Sequence, residues 1–211
     1  VHRDGSRLMP GELAELQDPP ELPTLTPELR VAADGIPIRC SPRAAGLFTV
    51  PVDPAFDRNN CSMARAQEPI QVLARWPNGL WLARTGYTLG WISADAALSP
   101  VLPTTLAATW IRGPHDAVFA QTRVRAASGE ETLLPALSIV PVFAVLSGLA
   151  DHVHFATRTG LFTGSPEPSA RLGPTMRPLT RRAVLATAFS LLGAPYGWGD
   201  QDGGRDCSRF L

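Results

Sequence analysis

The sequence predicts a mainly β protein: two small β-rich units followed by one helix and a glycine-rich loop. Three observations carry this reading. Proline is abundant, 21 of 211 residues, and a residue without an N–H is expelled from helix interiors and central strands, so short strands and many loops are expected. The apolar runs of residues 31–178 are short, and the clearest of them alternate with the period of two that marks a half-buried strand. After them, at residues 180–192, the pattern turns helical, and it stops at Gly193.

Composition narrows the function classes. All 19 basic residues are arginine, and they balance 19 Asp plus Glu to give a net charge of zero. Nothing in that balance favours bulk attraction to nucleic acid or to an anionic membrane. With 45% hydrophobic and 18% charged residues the chain has enough apolar material for packed cores. The three cysteines, Cys40, Cys61 and Cys207, form an odd set, so at least one thiol stays free within the chain. Cys40 and Cys61 are the candidate pair; spacing alone does not give their separation, and two free buried thiols are the alternative. The chain starts at Val1 with no charged-then-apolar stretch, so a signal peptide is absent or already removed.

The elements follow in order. Residues 1–30 are polar and proline-rich and read as a leader, with a short helix at "PGELAELQ", where Pro10 suits a first turn. Residues 31–100 hold the first β unit. Ile70, Val72, Ala74 and Trp76 alternate, "PNG" supplies a turn, "LWLART" follows, and a link leads to "GWIS", which makes a hairpin and a third strand. Residues 101–178 hold the second, with strands expected in "AVFAQTRVRAA", "ALSIVPVFAVLS" and "DHVHFATRTGLF". Residues 133–150 lack charge and are long enough to raise a membrane span, but Pro135, Pro141, Ser138, Ser147 and Gly148 favour buried strands. His152 and His154 share one strand face, a spacing able to hold a metal; no further ligand set is legible. In residues 179–211, Thr180 is an N-cap, the helix is apolar nearly all round and expected to be deeply buried, and Gly193 with Pro195 ends it.

The closing stretch "GAPYGWGDQDGGRDCSRFL" then places Cys207 where a new helix begins. The partial positive charge of a helix N-terminus lowers a thiol pKa and favours the nucleophilic thiolate. The string "GAPYGWG", "DQDGGR", "DCS" is similar to the opening of the NlpC family of bacterial cell-wall cysteine peptidases. "GLWLARTGYTLGWISADAAL" resembles the end of a bacterial SH3-like barrel, and "AFDRNNCS" resembles the segment that precedes its core strands in one multidomain subfamily. Residues 101–178 resemble a second such barrel less clearly.

This resemblance implies two SH3-like barrels followed by the first helix and active-site loop of a papain-like α+β domain. It implies a γ-D-glutamyl-L-diamino acid endopeptidase acting on peptidoglycan stem peptides or released murein peptides. Cys207 would attack the amide carbonyl and form a thioester that water opens, with no cofactor or metal required. Tyr196 would lie beside the nucleophile, and Asp206 and Ser208 would bind the free amino group of the stem peptide's L-Ala. Trp198 reads as packing. Asp53 or Asp57 of the first barrel would offer a carboxylate to the cleft. Two positions depart from the family pattern, Asp200 and Arg209, each where relatives carry glycine, and they bear on the substrate assignment.

The family's general base is a histidine far downstream of the cysteine. His2, His115, His152 and His154 all precede Cys207, so the chain reads as a fragment that is inactive alone. A periplasmic or secreted location follows from the resemblance, with peptide recycling inside the cell as the alternative. Two competing functions remain: a non-catalytic wall-binding protein built on two barrels, and an acyltransferase on the same catalytic fold.

Overall fold

The computed structural model describes residues 1–17, 21, 24–76, 78–136, 138–143, 152–170, 172–174, 180–190 and 192–199. The chain is mainly β, arranged in two antiparallel sheets. The first contains β1 (Glu28–Val31), β2 (Ile36–Arg39), β3 (Asn60–Ala64), β4 (Pro69–Arg75), β5 (Leu80–Arg84) and β6 (Leu89–Ser93), in the order β1-β4-β5-β6-β2-β3. The alternation seen in the sequence sets its facing: Ile70, Val72 and Ala74 of β4 all point inward. Ile70 and Val72 meet Ile36, Ile38, Ala64, Ala83 and Ile92 in one core, and Ala74 joins a second cluster with Trp76, Leu80 and Trp91. Each buried Ile or Val side chain contributes roughly 1.5–3 kcal/mol by leaving water. Trp91 packs edge-on against Trp76, ring centres 4.5 Å apart, in a satellite cluster, while Trp81 lies partly exposed beneath the Arg75 guanidinium at 4.7 Å.

The leader folds onto this sheet. Its helix α1 (Pro10–Gln17) forms where the sequence placed it. Glu12 of α1 pairs with Arg43 at 2.5 Å; the Val1 nitrogen donates to the Phe48 carbonyl, and the Phe48 N–H donates back to the Val1 carbonyl.

The second sheet contains β7 (His115–Val118), β8 (Thr122–Ala126), β9 (Glu131–Leu134), β10 (Ile139–Phe143), β11 (His152–Ala156), β12 (Leu161–Pro166) and β13 (Leu172–Pro174), in the order β13-β7-β10-β11-β12-β8-β9. Val118, Val124, Leu134, Val140, Val153 and Phe155 fill its core. No described helix is long and apolar enough to cross a membrane, and the described start of the uncharged stretch includes strand β10.

Between the sheets runs a helix that the sequence did not announce, α2 (Thr104–Arg112). Its Trp110 is 2% exposed and sits with Val31, Leu102 and Ala156 in a cluster that joins the two sheets. The Trp110 indole N–H donates to the Gln67 carbonyl at 3.3 Å.

The last described helix, α3 (Arg181–Ser190), starts as expected, with the Ala183 N–H donating to the Thr180 hydroxyl at 3.1 Å. Its expected deep burial does not hold: Val184, Leu185 and Phe189 are 49%, 46% and 62% exposed. An apolar helix surface predicts that a partner is needed, and no described element covers this one.

Candidate active site

The chain that leaves α3 turns at Gly193, whose φ of 87° suits glycine, and then lies against the first sheet. The segment that receives it is residues 56–60, and its side chains alternate. Asp57 and Asn59 point inward and are 3% and 0% exposed. Asp57 pairs with Arg39 at 2.5 Å and accepts the N–H groups of Leu47 and Asn59, both at 2.9 Å. Asn59 accepts from the Ser41 N–H and hydroxyl and donates to the carbonyls of Arg43 and Ala45. Cys61, which follows Asn60, is disulfide-bonded to Cys40, with Cα atoms 5.1 Å apart. The pairing that the sequence left open is therefore made, and it clips β3 to the end of β2.

Phe56 and Arg58 point the other way, onto the loop. Phe56 stacks on Tyr196 with ring centres 5.5 Å apart and touches Trp198 at 5.7 Å. The Arg58 guanidinium lies 5.0 Å from the Trp198 ring centre. Asn60, 1% exposed, donates its side-chain N–H groups to the carbonyls of Trp198 at 2.9 Å and Gly199 at 3.3 Å. Gly199 has φ 60°, and a Cβ there would lie 2.7 Å from the Asn60 amide nitrogen, so the close approach requires glycine. Tyr196 itself is 50% exposed and open to solvent at the edge of this aromatic group.

Of the residues singled out in the sequence, Tyr196 and Trp198 are thus brought together on the first sheet, and Trp198 does pack. Cys207, Asp206 and Ser208 lie outside the described residues, as do Asp200 and Arg209. Asp57 is consumed by the fold and offers no free carboxylate, whereas Asp53 stays exposed with Oδ1 accepting the Ala55 N–H. Phe56, Arg58 and Asn60 were not singled out as site residues. The inward-outward alternation of "FDRN" was the available signal.

The histidines serve the scaffold. His154 is buried, its Nδ1 3.1 Å from the Thr163 hydroxyl and its ring 5.7 Å from Trp110; desolvation holds its pKa below the usual 6.5. His115 Nε2 lies 3.0 Å from the Trp110 carbonyl, His2 pairs with Glu12, and His152 approaches the Ser165 hydroxyl. Among the described residues no three His, Cys, Asp or Glu side chains gather as metal ligands.

A separate cleft of about 680 Å³ opens between the sheets, lined by Arg65, Glu68, Tyr87, Trp110 and Ile139 among others. The Tyr87 hydroxyl lies 2.7 Å from Glu68 Oε2. None of its lining residues belongs to the 193–199 loop.

No protein-family model matches the chain, and no curated protein matches it. Its fold is similar to that of a solved NlpC/P60 endopeptidase from Photobacterium damselae subsp. piscicida, with TM-score 0.65 and 17% identity over 86% of this chain and 42% of that one. It is also similar to an NlpC/P60 family protein from Bacillus cereus ATCC 10987, with TM-score 0.61 and 13% identity over 86% of this chain and 70% of that one. The chain therefore spans less than half the length of the first of these structures.

Proposed function

We propose that this chain is the N-terminal and site-opening part of a bacterial peptidoglycan hydrolase, a cysteine endopeptidase that cleaves between γ-D-Glu and the diamino acid of a stem peptide. The observation that carries the reading is the docking of Tyr196 and Trp198 onto Phe56, Arg58 and Asn60. It supports a reading in which the first sheet flanks the loop that opens "GAPYGWG…DCS". The likeness of fold to two NlpC/P60 structures supports the same family.

In this mechanism the Cys207 thiolate attacks the amide carbonyl carbon, and the carbonyl oxygen takes up the negative charge. The diamino acid leaves as the amine, having gained a proton from an acid partner, and a thioester to γ-D-Glu remains. Water then adds to the thioester, loses its proton to the same partner, and releases the γ-carboxylate and the thiol. In this reading residues 31–100 and 101–178 act as two SH3-like units that hold the wall peptide against the loop. The Cys40–Cys61 disulfide favours an oxidising compartment, hence a periplasmic or secreted enzyme.

The test is turnover of L-Ala-γ-D-Glu-diaminopimelate by the full gene product and by its Cys207→Ala variant. Cleavage that disappears with the thiol supports the reading. Retained binding of intact peptidoglycan with no turnover by either protein would instead establish the wall-binding alternative.

A further inference from the structure

A peptidase that cuts after a γ-linked glutamate faces a chemical peculiarity: the linkage uses the side-chain carboxyl, so the α-carboxylate beside the scissile bond remains free and charged. We propose that Arg58 is the specificity residue that recognises this α-carboxylate, an inference that rests on the function proposed above.

Three observations converge on Arg58. Its backbone is fixed: the Arg58 N–H donates to the Leu47 carbonyl at 2.7 Å, and its neighbours Asp57 and Asn59 are both buried and fully engaged. Its side chain is aimed, because the guanidinium lies over Trp198, beside the half-exposed Tyr196. A cation over an aromatic face is held in orientation while its N–H edge stays available to an acceptor. Its charge is also uncommitted. Arg30, Arg39, Arg43, Arg75, Arg123 and Arg125 each pair with a carboxylate, whereas the Arg58 guanidinium has no carboxylate partner among the described residues and is exposed. A planar fork of donors, held over the Trp198 ring beside Tyr196, suits bidentate capture of a carboxylate.

The inference separates two substrates that differ only in charge: L-Ala-γ-D-Glu-diaminopimelate and the same peptide with the glutamate α-carboxylate converted to an amide. Their binding is measured by calorimetry on the full gene product carrying Cys207→Ala, with and without Arg58→Gln or Arg58→Lys. The expected result is a preference for the free acid of about tenfold to a hundredfold. Arg58→Gln abolishes that preference, with a larger loss for the free acid than for the amide, and Arg58→Lys keeps part of it. Equal binding of the two peptides, a preference that survives Arg58→Gln, or an equal loss for both peptides would overturn the assignment and leave the endopeptidase reading standing. Absence of binding to either peptide, together with no turnover by the protein that retains Cys207, overturns both.

Discussion

Gln67 and Ala156 are joined by two hydrogen bonds, the Ala156 N–H to the Gln67 Oε1 at 2.7 Å and the Gln67 Nε2 to the Ala156 carbonyl at 3.1 Å. A side-chain amide here does what a neighbouring strand would do: it satisfies the backbone at the end of β11. Gln67 is 1% exposed and has φ 71°, a left-handed conformation that costs a non-glycine residue roughly 1–2 kcal/mol. That strain is tolerated because its N–H also bonds Ala32 at 2.6 Å and its carbonyl takes the Trp110 indole. One residue thereby ties the first sheet to α2 and to the second sheet.

Gln67→Ala should therefore weaken the junction more than it weakens either sheet. It leaves a buried N–H and a buried carbonyl unpaired, at about 1–3 kcal/mol each. The expected outcome in urea is a lower midpoint, with the single transition splitting as the two sheets lose coupling. An unchanged midpoint and slope would show that the two bonds are dispensable.

The disulfide is the second mechanical element. Closing a loop between residues 21 apart removes unfolded-state entropy worth about 3 kcal/mol in the chain-entropy account. Reduction, or Cys40→Ser with Cys61→Ser, should lower stability by that order. Because Cys61 adjoins Asn60, which holds Trp198 and Gly199, the same change should raise proteolysis of residues 193–199 before the first sheet unfolds. Equal protection of the loop in both redox states would separate the disulfide from the site.

Acid should act on the junction through His154. Burial holds its folded pKa below 6.5, the value taken for the unfolded chain. The unfolded state then binds the proton first, so stability is full above pH 6.5 and is lost as pH falls from there through the lowered folded value. Wild-type denaturation midpoints should drop between pH 7.5 and 5, and His154→Gln should flatten that part of the profile. A variant that titrates as steeply as wild type would assign the slope elsewhere.

Glu12 titrates in a different range. Its carboxylate takes the Arg43 guanidinium and the Met9 N–H, and these hold its pKa down at about 2 from 4.5. The contribution of the pair to leader docking is thus present above pH 4.5 and is lost only as pH falls towards 2. Tryptic cleavage at Arg3 and Arg7 at neutral pH should be slow in wild type and faster in Glu12→Gln. Equal rates would mean that the leader is held by its backbone bonds to Phe48 alone.

The legible parts of this molecule are those decided locally. Alternation at Ile70, Val72 and Ala74 fixed the face of β4, and Thr180 with Gly193 marked both ends of α3. What the sequence hid depends on partners distant along the chain. Thr104, Thr105 and Thr109 disfavour helix, and α2 forms because Trp110 is covered from both sides; Leu106 and Trp110 at helical spacing before Gly113 were the faint signal. Apolar periodicity identified the α3 surface without saying what covers it. Gln67 was invisible, because neither its left-handed backbone nor its reach to Ala156 follows from residue type.

The packing of Gly199 against Asn60 makes the last prediction. The glycine has φ 60°, and a methyl group there would meet the Asn60 amide at 2.7 Å and the Ser62 N–H nitrogen at 3.3 Å. The second contact is backbone within β3, which yields less readily than a side chain, so Gly199→Ala has to move the loop and not the sheet. The two carbonyls at Trp198 and Gly199 then lose the Asn60 donors, and the Phe56 contacts to Tyr196 and Trp198 loosen together. In fluorine NMR of protein labelled with fluorotryptophan, the Trp198 resonance should broaden or shift towards its unfolded position, while those of Trp76, Trp91 and Trp110 stay in place. On the proposed function, the same substitution in the full gene product should lower kcat/KM by about tenfold or more, since a displacement near 1 Å in a site is enough for a large loss. Asn60→Ala should produce the same pattern more weakly, because it removes the donors without adding a clash. A normal Trp198 signal in Gly199→Ala would show that the loop is positioned by contacts other than Asn60.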